Sequence, residues 1–128
     1  MELNVGTNAK TIVVQQPVNA IQVSLHNSTI QSVTATVDTV TKTADYTVTT
    51  ANNVILCNAV GGPFTVTLPT AVGYDGKHYT IKKIDISTNA VTVTGSGSET
   101  IDAETTQIIV RKNVSLTIVS DGTNWKII

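Results

Sequence analysis

Apolar and polar residues alternate with a period of two along most of this 128-residue chain. That spacing is typical of a strand with one buried face, and helical spacing is hardly seen. In the first part of the chain the alternation predicts strands at 10–16, 19–27 and 32–40. Further along it predicts eight more, at 45–50, 53–59, 64–69, 78–87, 90–95, 105–112, 114–121 and 125–128.

Turn-forming residues separate these segments. They include Gly61-Gly62-Pro63, Asp75-Gly76, Gly95-Ser96-Gly97 and Asp121-Gly122, which favour tight reversals between short strands. Strands at this spacing with short loops predict an all-β fold: a compact antiparallel β-sandwich or barrel-like module with an extended N-terminal arm.

The chain is not uniform along its length. Residues 44–128 hold every aromatic side chain, whereas residues 1–43 have none and contain a single glycine and a single proline, Gly6 and Pro17. We therefore expect 1–43 to be an arm with connecting strands, completed by packing on other surfaces, and 44–128 to be a β-rich module.

A Thr-Val-Thr triplet recurs at 47–49, 65–67 and 92–94. Its starting positions lie 18 and then 27 residues apart (65 − 47 and 92 − 65). Because the spacing is unequal, we attribute the triplet to strand composition and not to a solenoid repeat. Along 64–68, alternation places Phe64, Val66 and Leu68 on one face and Thr65 and Thr67 on the other. The second face is predicted to be a threonine ladder, either solvated or paired with another subunit.

Composition supports the all-β fold class and argues against some classes of function, nucleic-acid binding among them. Thr, Val and Ile account for 23, 18 and 13 residues, and such β-branched side chains favour strands. The net charge is −1 and shows no basic stripe, so nucleic-acid binding is not expected. Only 13% of residues are charged, which suits a protein that shares its surface with neighbours.

The single cysteine, Cys57, excludes an internal disulfide and is expected to be a small buried hydrophobe. The start of the chain has no apolar run typical of a signal peptide. No stretch is long and apolar enough for a membrane-spanning helix. We therefore expect a protein made in a reducing cytoplasm, with no membrane partner.

Candidates for catalysis are few. A Cys57–His78 dyad is conceivable, but no motif surrounds either residue, and His26 lies in an ordinary strand context. Asp102 and Glu104, with Glu99 nearby, have the two-residue spacing of a carboxylate pair on one strand face. An acidic, solvated turn is the favoured interpretation, and we expect no enzyme and no catalytic residue.

Metal and phosphate sites are also not expected. Asp75, His78 and Asp85 offer ligand atoms but lack the spacing typical of zinc or calcium sites. A three-histidine site from His78 on a three-fold axis is a minor alternative. The glycine-rich segment 95–100 is not followed by a predicted helix that would bind a phosphate. No cofactor is predicted.

Trp125, the only tryptophan, is either a platform for a sugar ring or a core residue. The tight turn at 121–124 predicts an antiparallel hairpin between 114–120 and 125–128. In that hairpin, one face carries Trp125 and Ile127, and the facing strand presents Val114, Leu116 and Ile118. Because two apolar faces meet, the core role is favoured.

Residues 44–128 resemble a β-rich module of tailed-bacteriophage virion proteins, of the tail-fibre and head-appendage type. The resemblance rests on the opening YTVT, on FTVTLPTA, on Gly76-Lys77, Tyr79 and the IKK run, on ETID and on the closing SDGTNW. It implies a structural virion component, usually trimeric, and supplies no ligand-contacting positions to transfer.

Since only some 43 residues precede this module, the resemblance suggests a capsid decoration (cement) or short head-fibre protein on the virion surface. The N-terminal arm would dock on the lattice of the major capsid protein. The alternative is a distal tail-fibre module that recognises host surface glycans through exposed aromatic residues such as Tyr74.

Overall fold

The computed structural model describes all of residues 36–128 and, in the first 35 residues, the backbone of three strands. The chain divides into two compact units, Met1–Ala35 and Thr36–Ile128. The division falls eight residues before the expected boundary of 43/44, because the strand Thr39–Lys42 belongs to the second unit.

The first unit holds one antiparallel sheet of three strands, β1 (Glu2–Val5), β2 (Lys10–Val13) and β3 (Gln22–Leu25), in the order β1-β2-β3. The alternation pattern predicted β2 and β3, and it missed β1. The other residues of 1–35 lie outside the described residues, whereas residues 36–43 of the predicted arm belong to the second unit. The predicted strand 32–40 is therefore described only from residue 36, and it enters a strand at Thr39.

The second unit contains nine strands in two sheets, which confirms the all-β prediction. They are β4 (Thr39–Lys42), β5 (Tyr46–Thr47), β6 (Val54–Cys57), β7 (Phe64–Thr67), β8 (His78–Lys83), β9 (Val91–Thr94), β10 (Thr106–Ile109), β11 (Ser115–Ser120) and β12 (Trp125–Ile127). No helix occurs in residues 36–128, and none among the described residues is long and apolar enough to cross a membrane.

Strand direction differs from the antiparallel expectation. The five-stranded sheet has the order β12-β11-β8-β6-β4, and the four-stranded sheet has the order β10-β9-β7-β5. From β4 to β9 the chain alternates between the sheets, so each strand returns beside the one before last and runs parallel to it. The intervening strand in the other sheet supplies the crossover that parallel neighbours require. Antiparallel strands β10, β11 and β12 complete the unit.

This winding places the second and third Thr-Val-Thr triplets side by side in register. Val66 pairs with Val93 in register, flanked by the pairs Thr65–Thr92 and Thr67–Thr94. The first triplet is offset by two residues, because Thr47 pairs with Thr67 and Tyr46 pairs with Val66. The three triplets therefore do not share one repeated register.

The core lies between the two sheets and follows the period-two pattern. Alternating residues of β6 to β9 are buried, among them Ile55, Val66, Ile81 and Val93. Their partners in alternation point outward, as in the half-exposed threonines of β7 and β9. Ile109, Ile118 and Trp125 extend the core into the closing strands.

Candidate functional site

Trp125 is fully buried, so its indole is not a platform for a sugar. The ring packs against Tyr79 with centroids 5.5 Å apart and the planes tilted by 58°. Its backbone N–H donates to the carbonyl of Thr100 at 2.9 Å, and its carbonyl accepts from Asp102 N–H at 3.1 Å. The tryptophan therefore fastens the last strand to the 100–102 segment as well as to the core.

The predicted hairpin is present, with Ser120 opposite Trp125 and Ile118 opposite Ile127. Two predicted core residues are nevertheless exposed, Val114 at 45% and Ile127 at 36%. Val114 lies in the turn before β11, and Ile127 is the last residue of the outermost strand, β12.

The structure separates Cys57 from His78. Cys57 pairs with Lys83 at the end of β8, and His78 is five residues earlier on that strand, about 16 Å away at the rise of a strand. Burial raises the pKa of Cys57 to about 12, the charge of Asp85 adds to this, and Lys83 opposes it. A thiol with this pKa is not a nucleophile at neutral pH. The Cys57–His78 dyad is excluded, and Cys57 is buried as expected. His26 lies outside the described residues.

The acidic residues of 99–104 are held in separate structural roles. Glu99 accepts hydrogen bonds from Thr70 Oγ1 at 2.6 Å and Ala71 N at 2.9 Å. Asp102 stands in a tight turn with positive φ and accepts from Ile127 N at 3.2 Å. Because Asp102 and Glu104 lie across a turn and not along a strand, they do not form the paired face that glycoside hydrolysis uses.

Asp75, His78 and Asp85 do not come together, since His78 is the first residue of β8 and Asp85 lies beyond the other end of that strand. In the part of the chain that the structure describes, no group of three metal-ligating side chains is assembled.

Sequence reasoning missed a buried polar network that begins at Lys83. Lys83 is fully buried, and its Nζ lies 2.6 Å from Asp85 Oδ1 and 2.9 Å from the carbonyl oxygen of Ser87. The other carboxylate oxygen of Asp85 accepts from Ala59 N at 2.7 Å. Asn89 Nδ2 donates to the Ala59 carbonyl at 2.8 Å. The network ties the β6–β7 turn to the β8–β9 turn.

Burial opposes ionisation of Asp85, but hydrogen bonds from Lys83, Ser87 and Ala59 outweigh it and hold the pKa of this carboxyl below its ordinary value. The carboxylate of Asp85 therefore holds the two turns together. The sequence did not indicate the Lys83–Asp85 pair. A Lys and an Asp two residues apart share one strand face, and ordinary surface residues have the same spacing.

Four turns lie side by side at one end of the second unit, which we call the loop end. They are residues 43–45, 58–63, 84–90 and 110–114. The first three leave the carboxyl ends of the parallel neighbours β4, β6 and β8. The fourth joins them because β11 begins opposite the end of β8 and β10 ends opposite the start of β9.

The loop end contains an open cleft of about 400 Å³ between residues 43–45 and 61–64. Phe64 and Pro63 give it an apolar wall, and Asp45 contributes the one carboxylate. Asp45 Oδ1 accepts from Thr65 N at 2.8 Å. Its lining is uncharged apart from Asp45, whose carboxylate already accepts from the backbone, so the cleft supplies no pair of groups for acid–base chemistry.

The predicted threonine ladder forms the outer face of the four-stranded sheet. One row pairs Thr47, Thr67, Thr94 and Thr106 across the four strands, and a second row pairs Thr65, Thr92 and Ile108. The face is uncharged at all seven positions.

No protein-family profile and no curated protein sequence matches this chain.

Proposed function

We propose that this protein is a structural component of a tailed-bacteriophage virion, a capsid decoration or short head-fibre protein that binds the assembled shell and stabilises it. The observation that carries the proposal is the division of the chain into two units: Met1–Ala35, whose described strands form one three-stranded sheet, and the two-sheet module Thr36–Ile128. One unit would dock, and the other would project from the shell.

The first unit suits docking because β1 and β3 are the outer strands of its sheet. Outer strands present backbone N–H and C=O groups to which another chain adds by β-augmentation. A capsid lattice offers many identical sites for such pairing. Each bound copy stabilises the assembled shell over the disassembled one, because the bound area exists only in the shell.

The second unit suits a projecting, non-enzymatic role. Its described ionisable network clamps two turns together, and its four-stranded sheet presents neutral threonines outward. The resemblance of residues 44–128 to virion modules supports the same role and a homotrimer made in the bacterial cytoplasm.

Binding to purified expanded shells tests the proposal. The full chain should bind shells saturably and raise their melting temperature. Val23→Pro, in the outer strand β3, should weaken binding because proline removes a backbone donor. Val37→Pro, outside the strands, is the matched control and should bind as the wild type. Wild-type chain that fails to bind at saturating concentration would refute the proposal.

Tyr74 favours a second candidate, recognition of host glycans by a tail-fibre tip, because its side chain is 43% exposed. Aromatic rings are good platforms for sugars. A glycan array on the wild type and on Tyr74→Ala tests this function. The copy number per virion separates the two: hundreds of copies indicate a shell protein, and a handful indicate a tail appendage.

A further inference from the structure

The loop end presents exposed apolar side chains on its two clamped turns. Ile86 is 81% exposed and Val60 is 66% exposed. Val60 follows Ala59, and Ile86 stands between Asp85 and Ser87, the two residues whose side chains bind the backbone of Ala59. The two apolar tips are thus carried on turns that a buried network joins, and not on independent loops.

Rigid exposed apolar residues are what a protein interface uses as anchors, since little conformational entropy is lost when they are covered. The Lys83–Asp85 pair is part of the network that joins the two turns, and both of its side chains are removed from solvent. A buried ion pair adds little net stability, whereas it does fix the arrangement of the turns.

The same end provides a recess for such anchors. The cleft at 43–45 and 61–64 begins directly after Val60. Within one copy, Val60 and Ile86 are largely exposed and so do not fill it. A surface that carries both projecting apolar groups and a neighbouring recess is complementary to another copy of itself in a head-to-tail arrangement.

Exposed charged residues of opposite sign lie at the two flanks of the loop end. Asp45 lies in the turn at one flank of the loop end, and Arg111 and Lys112 lie in the turn at the other, all three exposed. Three strand spacings separate the flanks, about 14 Å, which is beyond the screening length of about 8 Å at physiological salt. Lys42, near the acidic flank, is held on the ring of Tyr46 with Nζ 4.0 Å from the centroid.

We propose that the loop end is the surface through which copies of this chain contact one another in a closed ring. The Val60–Ile86 tips of one copy enter the cleft of the next, and Asp45 of one copy faces Arg111 and Lys112 of its neighbour. That the ring contains three copies rests on the proposed function, whereas the contact surface does not.

Sedimentation of the full chain over a concentration series measures the association. Ile86→Lys should raise the dissociation constant about tenfold or more, since a large apolar anchor is replaced by a charge. Val72→Lys is the matched control: Val72 is 58% exposed but lies in the β7–β8 turn at the opposite end. It should associate as the wild type.

A charge swap distinguishes self-association from docking of a different protein. Asp45→Lys alone, and Arg111→Asp with Lys112→Asp, should each weaken association. The three substitutions combined should restore it, because every copy then presents complementary flanks again. Circular dichroism melts verify folding, and Ile86→Lys tests the surface independently if Asp45→Lys is unstable through loss of its bond to Thr65.

A wild-type chain that stays monomeric at all concentrations overturns the inference. Association weakened equally by Val72→Lys and Ile86→Lys also overturns it, as does a combined charge swap that does not restore association. The measurement needs no capsid. A monomer that binds shells would therefore overturn the ring alone, and a ring that does not bind shells would overturn the proposed function alone.

Discussion

Replacing Trp125 by alanine tests whether the closing strand is fastened through the core. A buried tryptophan covers about 150–250 Å², which at about 25 cal/mol per Å² corresponds to roughly 4–6 kcal/mol. The remaining methyl group and partial collapse of the cavity reduce the expected loss to about 3–5 kcal/mol. The indole N–H has no protein hydrogen-bond partner within residues 36–128, so the loss is one of packing.

Urea unfolding followed by far-ultraviolet circular dichroism measures the effect without relying on tryptophan fluorescence. The midpoint should fall with an unchanged m-value, and the melting temperature should fall by at least about 12 °C for a domain of this size. Trp125→Phe should lose a fraction of this, because the ring contact with Tyr79 is largely kept. Ile86→Ala, at an 81% exposed position, should stay within about 0.5 kcal/mol. A Trp125→Ala protein that melts as the wild type would refute the core role.

Three further substitutions probe the backbone and the buried pair. Gly95→Ala should destabilise in thermal melts, since its Cβ would lie 2.5 Å from the Glu99 carbonyl oxygen, whereas Gly61→Ala meets nothing within 4 Å and should be neutral. Ala103→Gly should stabilise by about 0.5–1 kcal/mol in urea unfolding, because Ala103 has a φ of 70°; a loss would refute strain there. Folding lowers the pKa of Asp85, so its ionised carboxylate stabilises the folded state. This stabilisation is complete above the unfolded pKa of about 3.9 and is lost as the pH falls through the folded pKa. Unfolding free energy measured from pH 6 to 2 should therefore decline in acid, and Asp85→Asn should decline less steeply.

Only part of the candidate site could be predicted from the sequence. The burial of Cys57 and Trp125 followed from alternation, because an apolar residue in phase with a strand's core face has one place to go. The Lys83–Asp85 clamp did not follow, since its partner Ala59 lies 26 residues from Asp85 along the chain. The loop end was equally hidden, because its four turns meet only once the strand order is known.

By itself, the sequence determined that the described part of the protein is all-β, where the strands from residue 45 onward lie, and which face is buried in strands β6 to β9. These are local properties, set by β-branched composition, period two and turn residues such as Asp121 and Gly122. Tertiary structure alone decided strand direction and neighbours. Parallel and antiparallel partners place the same alternate side chains in the core, so period two does not distinguish them. The choice came from pairings between distant segments, which bring two of the three threonine triplets into register and bring the four turns of the loop end together.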